Sequence, residues 1–329
     1  MMEETIRNFA EQLKYAPEIE NAAVLKHSGL PRHGGGKFIV AGMGGSNLAS
    51  ELLKVWNPEL DIIIHRDFGL PAIAESELQN RLVVISSYSG GTEETIDVFR
   101  EALKKKLSVI ISATGGKLLE LAKENGTPFI QMPNIGTRPQ LAVGLSLKAM
   151  LKAISEDRAL EEISELANSF NAADYEITGK DLAEKLGGKI PIVYSSNRNL
   201  PLAHYWRINF EETSKTPAFC NAFPELNHNE MAGFVSSPAG ESLPSKFHFV
   251  FLKDKNDDSR IQKRTEATAK LYEAKGLGVE SVDLESGTWQ KIFGSLLLSS
   301  WASFYLAQNR GVDPEDISAV EEFKKQISR

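Results

Sequence analysis

The chain of 329 residues contains one cysteine, Cys220, so an internal disulfide is excluded and the fold must be held by buried apolar surface. Long hydrophobic runs are also missing; none reaches the length that spans a bilayer. The start, Met1-Met2-Glu3-Glu4-Thr5-Ile6-Arg7, lacks the basic-then-apolar order of a signal peptide, which sets the expectation of a cytoplasmic protein with no membrane partner. Basic residues are in deficit, 37 Lys and Arg against 44 Asp and Glu for a net charge of −7, which argues against nonspecific nucleic-acid binding. Histidine is scarce, and His204, His228 and His248 have no spacing suited to a zinc or iron centre, so no metal site is expected.

The residues that are present, 42% hydrophobic and 25% charged, are those of an ordinary globular protein long enough for two domains. Short apolar runs at 38–41, 62–64, 82–86, 109–111 and 129–130 alternate with helical patterns near 46–56, 93–106, 117–125 and 141–155. That alternation predicts a parallel sheet covered on both faces. The second half repeats the scheme, with runs at 190–194, 247–252 and 279–284 and helices near 200–213, 258–275 and 288–309. The stretch 155–185 carries helical spacing and reads as linking helices. The expected class is α/β, with domains at 1–155 and 156–329, each a mainly parallel sheet sandwiched by helices.

Ser86-Ser87-Tyr88-Ser89-Gly90-Gly91-Thr92 follows an apolar run and leads into a helical pattern. Where a strand ends and a helix begins, free N–H groups, short hydroxyls and the positive helix end converge, which suits an anion such as phosphate. The competing reading is a capped helix, with Thr92 as N-cap. Capping alone does not require Ser87, Ser89 and two glycines. Gly42-Met43-Gly44-Gly45-Ser46 sits at the corresponding turn after the first strand, where ligands bind in open α/β sheets. It is not a dinucleotide fingerprint, because Asn47 stands where the third glycine is required. In the second half, Glu212 ends a helix and His228 begins another beyond a proline-bounded loop. A carboxylate withdrawn from water and a histidine form a pair able to move protons; a solvated helix-end charge and a surface histidine are the alternatives. Cys220 reads as a packed small residue.

GMGGS, SYSGGTEET and PELNHNE, with Glu212-Thr213-Ser214-Lys215 upstream of the last, occur in an order that resembles the bifunctional phosphoglucose/phosphomannose isomerases. These are a branch of the sugar isomerase (SIS) domain proteins, and the resemblance runs over nearly the whole chain. It implies two SIS domains with an active site near their junction, a homodimer, a phosphorylated hexose substrate, and no metal or organic cofactor. Carried over residue by residue, it implies phosphate contacts from Gly45, Ser46, Ser87, Ser89 and Thr92, a general base at Glu212, and ring opening assisted by His228 and Lys324, with Lys325 as the alternative register.

The implied reaction is aldose–ketose isomerisation. Glucose 6-phosphate, and mannose 6-phosphate after rotation about C2–C3, would be interconverted with fructose 6-phosphate through a cis-enediol. Two departures bear on it. The family carries Pro-Arg before the helix that closes the first domain; here Thr137-Arg138-Pro139-Gln140 puts Gln140 at that arginine and Arg138 two residues upstream, so Arg138 is the candidate cation for the enediolate. The segment Asp313-Pro314-Glu315-Asp316-Ile317-Ser318 also lacks the threonine expected near the sugar C1–C2 bond. A noncatalytic sugar-phosphate-binding protein and an isomerase of another phosphosugar are the alternatives.

Overall fold

The computed structural model describes residues 1–26, 36–235 and 243–327. Strands β1 (Lys37–Ala41), β2 (Asp61–His65), β3 (Leu82–Ser87), β4 (Val109–Ala113) and β5 (Phe129–Gln131) form a parallel sheet in the order β2-β1-β3-β4-β5. Every residue of β3 is buried, as continuous apolar strands are when helices cover both faces of a parallel sheet. Strands β6 (Ile190–Ser196), β7 (Phe219–Phe223), β8 (Phe247–Lys253) and β9 (Gly278–Asp283) form a second parallel sheet, in the order β7-β6-β8-β9. Its core is aromatic: Tyr194 packs edge-on against Phe251 at 5.4 Å, and Phe249 against Tyr272 at 4.5 Å.

The expected strands and long helices are all present, and β7 is an addition. Phe219-Cys220-Asn221-Ala222-Phe223 reads as part of a proline-bounded loop in the sequence, yet it pairs with β6 from Ile192↔Phe219 to Ser196↔Phe223. It is an edge strand, exposed at Phe219 and buried at Ala222 and Phe223, so no long apolar run marks it. The helix expected to start near 141 starts as a 3-10 turn, Pro139–Ala142, before Val143–Ala153.

Two compact units divide the chain, one of Arg7–Ala172 with Glu285–Gly294, the other of Met1–Ile6, Ala173–Leu284 and Ser295–Arg329. Within the first, Trp289 stacks on Trp56 at 5.6 Å and donates its indole N–H to Glu162 at 3.0 Å, which holds the 285–294 segment. Lys148 is buried in the same unit and donates to Ser164 at 2.7 Å and to the Leu13 carbonyl at 2.5 Å. Within the second, Asn209 donates to Ser299 at 2.7 Å and Trp206 to Ser295 at 2.9 Å, fastening helix Leu200–Glu212 to the later turns of helix Thr288–Arg310.

Candidate active site

The order of the first sheet reverses direction between β1 and β3, and the two glycine- and serine-containing loops follow those strands. They therefore meet at the switch point, the crevice where open α/β sheets bind ligands. The loops are tied together: Ser46 Oγ accepts from the Tyr88 N–H at 2.9 Å, and Ser86 Oγ donates to the Ser46 carbonyl at 3.2 Å. Ser87 Oγ accepts from the Gly90 N–H at 3.1 Å and donates to Thr92 Oγ1 at 3.1 Å; Ser89 Oγ accepts from the Gly91 N–H at 3.3 Å. Ser46, Ser87, Ser89 and Thr92 thus all lie on these two tied loops, with Ser87 and Thr92 bonded directly to each other.

Two glycines are needed for this approach. A Cβ on Gly90, whose φ is +67°, would lie 1.8 Å from the Gly115 carbonyl oxygen, and one on Gly45 would lie 2.6 Å from the Gln140 nitrogen. The capping alternative is met in position, with Glu93 and Glu94 in the first turn, but not in bonding. Thr92 occupies the N-cap position of helix Glu93–Lys104 with extended backbone, but its side chain makes no capping hydrogen bond. The positive end of a 12-residue helix is left facing the loop without a cap.

The matching crevice of the second sheet, between β6 and β8, has opposite chemistry. Ser196 donates to Asp257 at 2.8 Å, and Asn199 donates to the buried Asp254 at 3.1 Å. The helix that follows, Ser259–Ala274, is capped by Asp258, which accepts from the Arg260 N–H at 2.8 Å. The Arg260 guanidinium and N–H hold the Asp258 carboxyl well below the usual carboxylate range. In the second crevice carboxylates already engage the Ser196 and Asn199 donors, and an incoming anion would meet like charge there.

The proposed proton-transfer residues lie in the second unit. Glu212 is the last residue of helix Leu200–Glu212 and is half-buried. Its helix end is closed by Lys215, which folds back to donate to the Glu212 carbonyl and reaches the Asp316 carbonyl at 2.7 Å. Lys215 thereby ties the end of Glu212's helix to the segment leading into Ser318–Ile327, the exposed helix that carries Lys324. Sequence reading assigned Lys215 no task; its partner lies 101 residues away. The neighbouring Glu211 has its carboxyl raised by burial, against the lowering influence of Arg207 and His204. His228 is exposed and, contrary to the sequence reading, does not begin a helix: it closes the 3-10 turn Glu225–Asn227, and the next helix starts at Glu230. Burial raises the Cys220 thiol, keeping it protonated and inert.

In the first unit, Gln140 is fully buried with its backbone against Gly45, whereas Arg138 is half-buried at the head of the 3-10 turn Pro139–Ala142. Of the two, Arg138 has the charge and the exposure that an enediolate contact needs. Among the described residues, no three His, Cys, Asp or Glu side chains cluster as metal ligands would, and no helix is long and apolar enough to cross a membrane.

Two parallel sheets covered by helices, one with a glycine- and serine-rich loop pair at its switch point, define a protein of the open α/β class. Solved structures carry the same fold: the C-terminal domain of glucosamine-fructose-6-phosphate aminotransferase from Francisella tularensis superposes with a TM-score of 0.70 at 14% identity, covering 96% of this chain and 98% of that one. Residues 176–327 match the bacterial phospho-glucose isomerase C-terminal SIS domain. The bifunctional phosphoglucose/phosphomannose isomerase of Caldicellulosiruptor bescii is 31% identical over 99% of both chains, and that of Aquifex aeolicus 30% identical over 89% of this chain and 90% of its own. The chain belongs to the bifunctional phosphoglucose/phosphomannose isomerase family.

Proposed function

We propose that this protein is an aldose–ketose isomerase that interconverts glucose 6-phosphate and mannose 6-phosphate with fructose 6-phosphate through a cis-enediol. The observation that carries the proposal is the uncapped, hydroxyl-lined loop 87–92 at the first switch point, in a chain whose relatives bear both isomerase names. Ser46, Ser87, Ser89 and Thr92, with the backbone at Gly45, take the phosphate oxygens. His228 and Lys324 open the ring by removing the O1 proton and supplying one to O5 as the C1–O5 bond breaks. Glu212 then takes the C2 proton, leaving the enediolate, and returns it to C1. Arg138 supplies the cation for the developing charge.

Both electrons of the broken C2–H bond stay in the sugar, so the proton-transfer residues suffice and the proposal invokes no metal or organic cofactor. Rotation about C2–C3 in the intermediate presents either C2 epimer to the same base. The enzyme is expected to work in the cytoplasm as a homodimer. The apolar stretches 141–151 and 293–306 are mostly buried within the chain, whereas Ile317, just before the terminal helix, and Val320, Phe323 and Ile327 on it are 47–59% exposed. Light scattering at two chain masses supports the dimer, and one chain mass rejects it.

The test of activity is turnover of fructose 6-phosphate in chelator-treated buffer, with both aldose products followed by NMR. Both products are expected, and Glu212→Gln should bind sugar phosphate while losing nearly all turnover. Wild-type kcat in that variant removes Glu212 as the base. Binding without either product returns the protein to the noncatalytic class or to another phosphosugar.

A further inference from the structure

His228 is exposed on a short turn, and a general acid must hold its place to well within an ångström. The surrounding segment is anchored on both sides of it. Leu226 is fully buried among the aromatics of the second sheet, and Asn227 donates to Thr268 on helix Ser259–Ala274 at 2.8 Å. After His228, Glu230 receives two hydrogen bonds from adjacent strands: the Tyr194 hydroxyl of β6 donates to Oε1 at 2.5 Å, and the Asn221 amide of β7 donates to Oε2. Asn221 is itself oriented, its Oδ1 accepting from the Ala222 N–H at 2.8 Å. Tyr194 is fully buried in the centre of the sheet, ringed by Phe223, Phe249, Phe251 and Tyr272.

A carboxylate offers two acceptors and no donor, and here each acceptor meets a donor fixed by a different strand. We infer that Glu230, clamped by Tyr194 and Asn221, is the positioning residue for His228, fixing the turn that carries the ring-opening group against the sheet. The inference rests on the role proposed above for His228. Glu230 need not touch the substrate; it acts by holding the chain two residues downstream of the acid.

The amide of Glu230→Gln would turn a donor toward the Asn221 donor. Exchanging both partners, Asn221→Asp with Glu230→Gln, restores one donor facing one acceptor and leaves Oδ1 of residue 221 to accept from the Ala222 N–H. Two substrates separate positioning from general damage. Fructose 6-phosphate must be opened, whereas its 5-deoxy analogue has no C5 hydroxyl to close a furanose, so it arrives open.

Glu230→Gln is expected to lower kcat on fructose 6-phosphate about tenfold to a hundredfold with little change in KM, to leave turnover of the 5-deoxy analogue near wild type, and to be rescued by the exchanged pair. In a His228→Ala background the same substitution is expected to cost nothing further. Equal losses on both substrates, or full additivity with His228→Ala, would overturn the inference even with His228 confirmed. If His228→Ala alone keeps wild-type kcat on fructose 6-phosphate, the reading of His228 fails first and the inference with it.

Discussion

Ser86 and Ser87 are adjacent, both buried, and expected to behave differently when each loses its hydroxyl. Ser86 Oγ donates to the Ser46 carbonyl at 3.2 Å, a bond internal to the scaffold. Ser87 Oγ joins the Gly90 N–H to Thr92 Oγ1, both at 3.1 Å, inside the loop assigned to phosphate. Ser86→Ala removes one neutral hydrogen bond, worth about 0.5–1.5 kcal/mol of stability, and should leave substrate affinity nearly unchanged. Ser87→Ala removes a comparable internal bond and also a contact to a charged ligand, worth about 1.5–3 kcal/mol.

At about 1.4 kcal/mol per decade, the second loss is about a tenfold to hundredfold fall in kcat/KM, carried mainly by KM because the phosphate is bound alike in ground and transition states. The assay is steady-state isomerisation of fructose 6-phosphate beside competitive inhibition by inorganic phosphate, with denaturant melts on both variants. The inhibition constant should weaken with Ser87→Ala and hold with Ser86→Ala, while the two melts shift by similar amounts. If both variants keep the wild-type phosphate inhibition constant, the loop is not the anion site and the site assignment falls.

Lys215→Met removes the donor to the Glu212 and Asp316 carbonyls, and should cost about 1–3 kcal/mol of stability and lower kcat more than KM, read from melts and initial rates together. Calorimetric titration with inorganic phosphate should give one site per chain, because Asp254 and Asp257 occupy the second crevice; a stoichiometry of two refutes that contrast. Burial lowers the Lys148 ammonium from 10.5 to about 8, so the folded state releases this proton before the unfolded chain does. Its contribution to stability therefore rises with pH between about 8 and 10.5 and is flat below that window, with a slope of at most about 1.4 kcal/mol per pH unit. Lys148→Met should remove that component from unfolding measured across pH 7 to 11.

Strands β1, β3 to β6 and β8 were legible as mostly buried apolar runs, β2 as the half-buried run Ile62-Ile63-Ile64, and β9 by its place after a long helical pattern. What escaped had no local signature. Strand β7 lies on a sheet edge, runs from exposed Phe219 to buried Phe223 and begins shortly after Pro217, so no apolar run or alternation sets it apart from the flanking loop. The task of Lys215 depends on a carbonyl 101 residues away, and the clamp on Glu230 on a tyrosine 36 residues upstream. The 285–294 segment joins the first unit through Trp289 and Phe293, whose partners Trp56, Phe9 and Phe170 are distant in sequence. Such contacts are set by tertiary packing, which no window of sequence contains.

In the proposed reaction the two sheets carry different tasks that their common topology would allow either to do. Each has a switch point between inner strands, β1 and β3 in the first and β6 and β8 in the second, and each offers a helix beginning just beyond it. In the first, Thr92 makes no side-chain cap, Ser87 and Ser89 line the loop before it, and Glu93 and Glu94 stand in the helix's first turn. In the second, Asp254, Asp257 and Asp258 close that place, and the residues proposed for proton transfer lie elsewhere, at the end of helix Leu200–Glu212 and on the turn beyond β7. Binding needs a fixed positive cradle, whereas proton transfer needs groups whose charge can change.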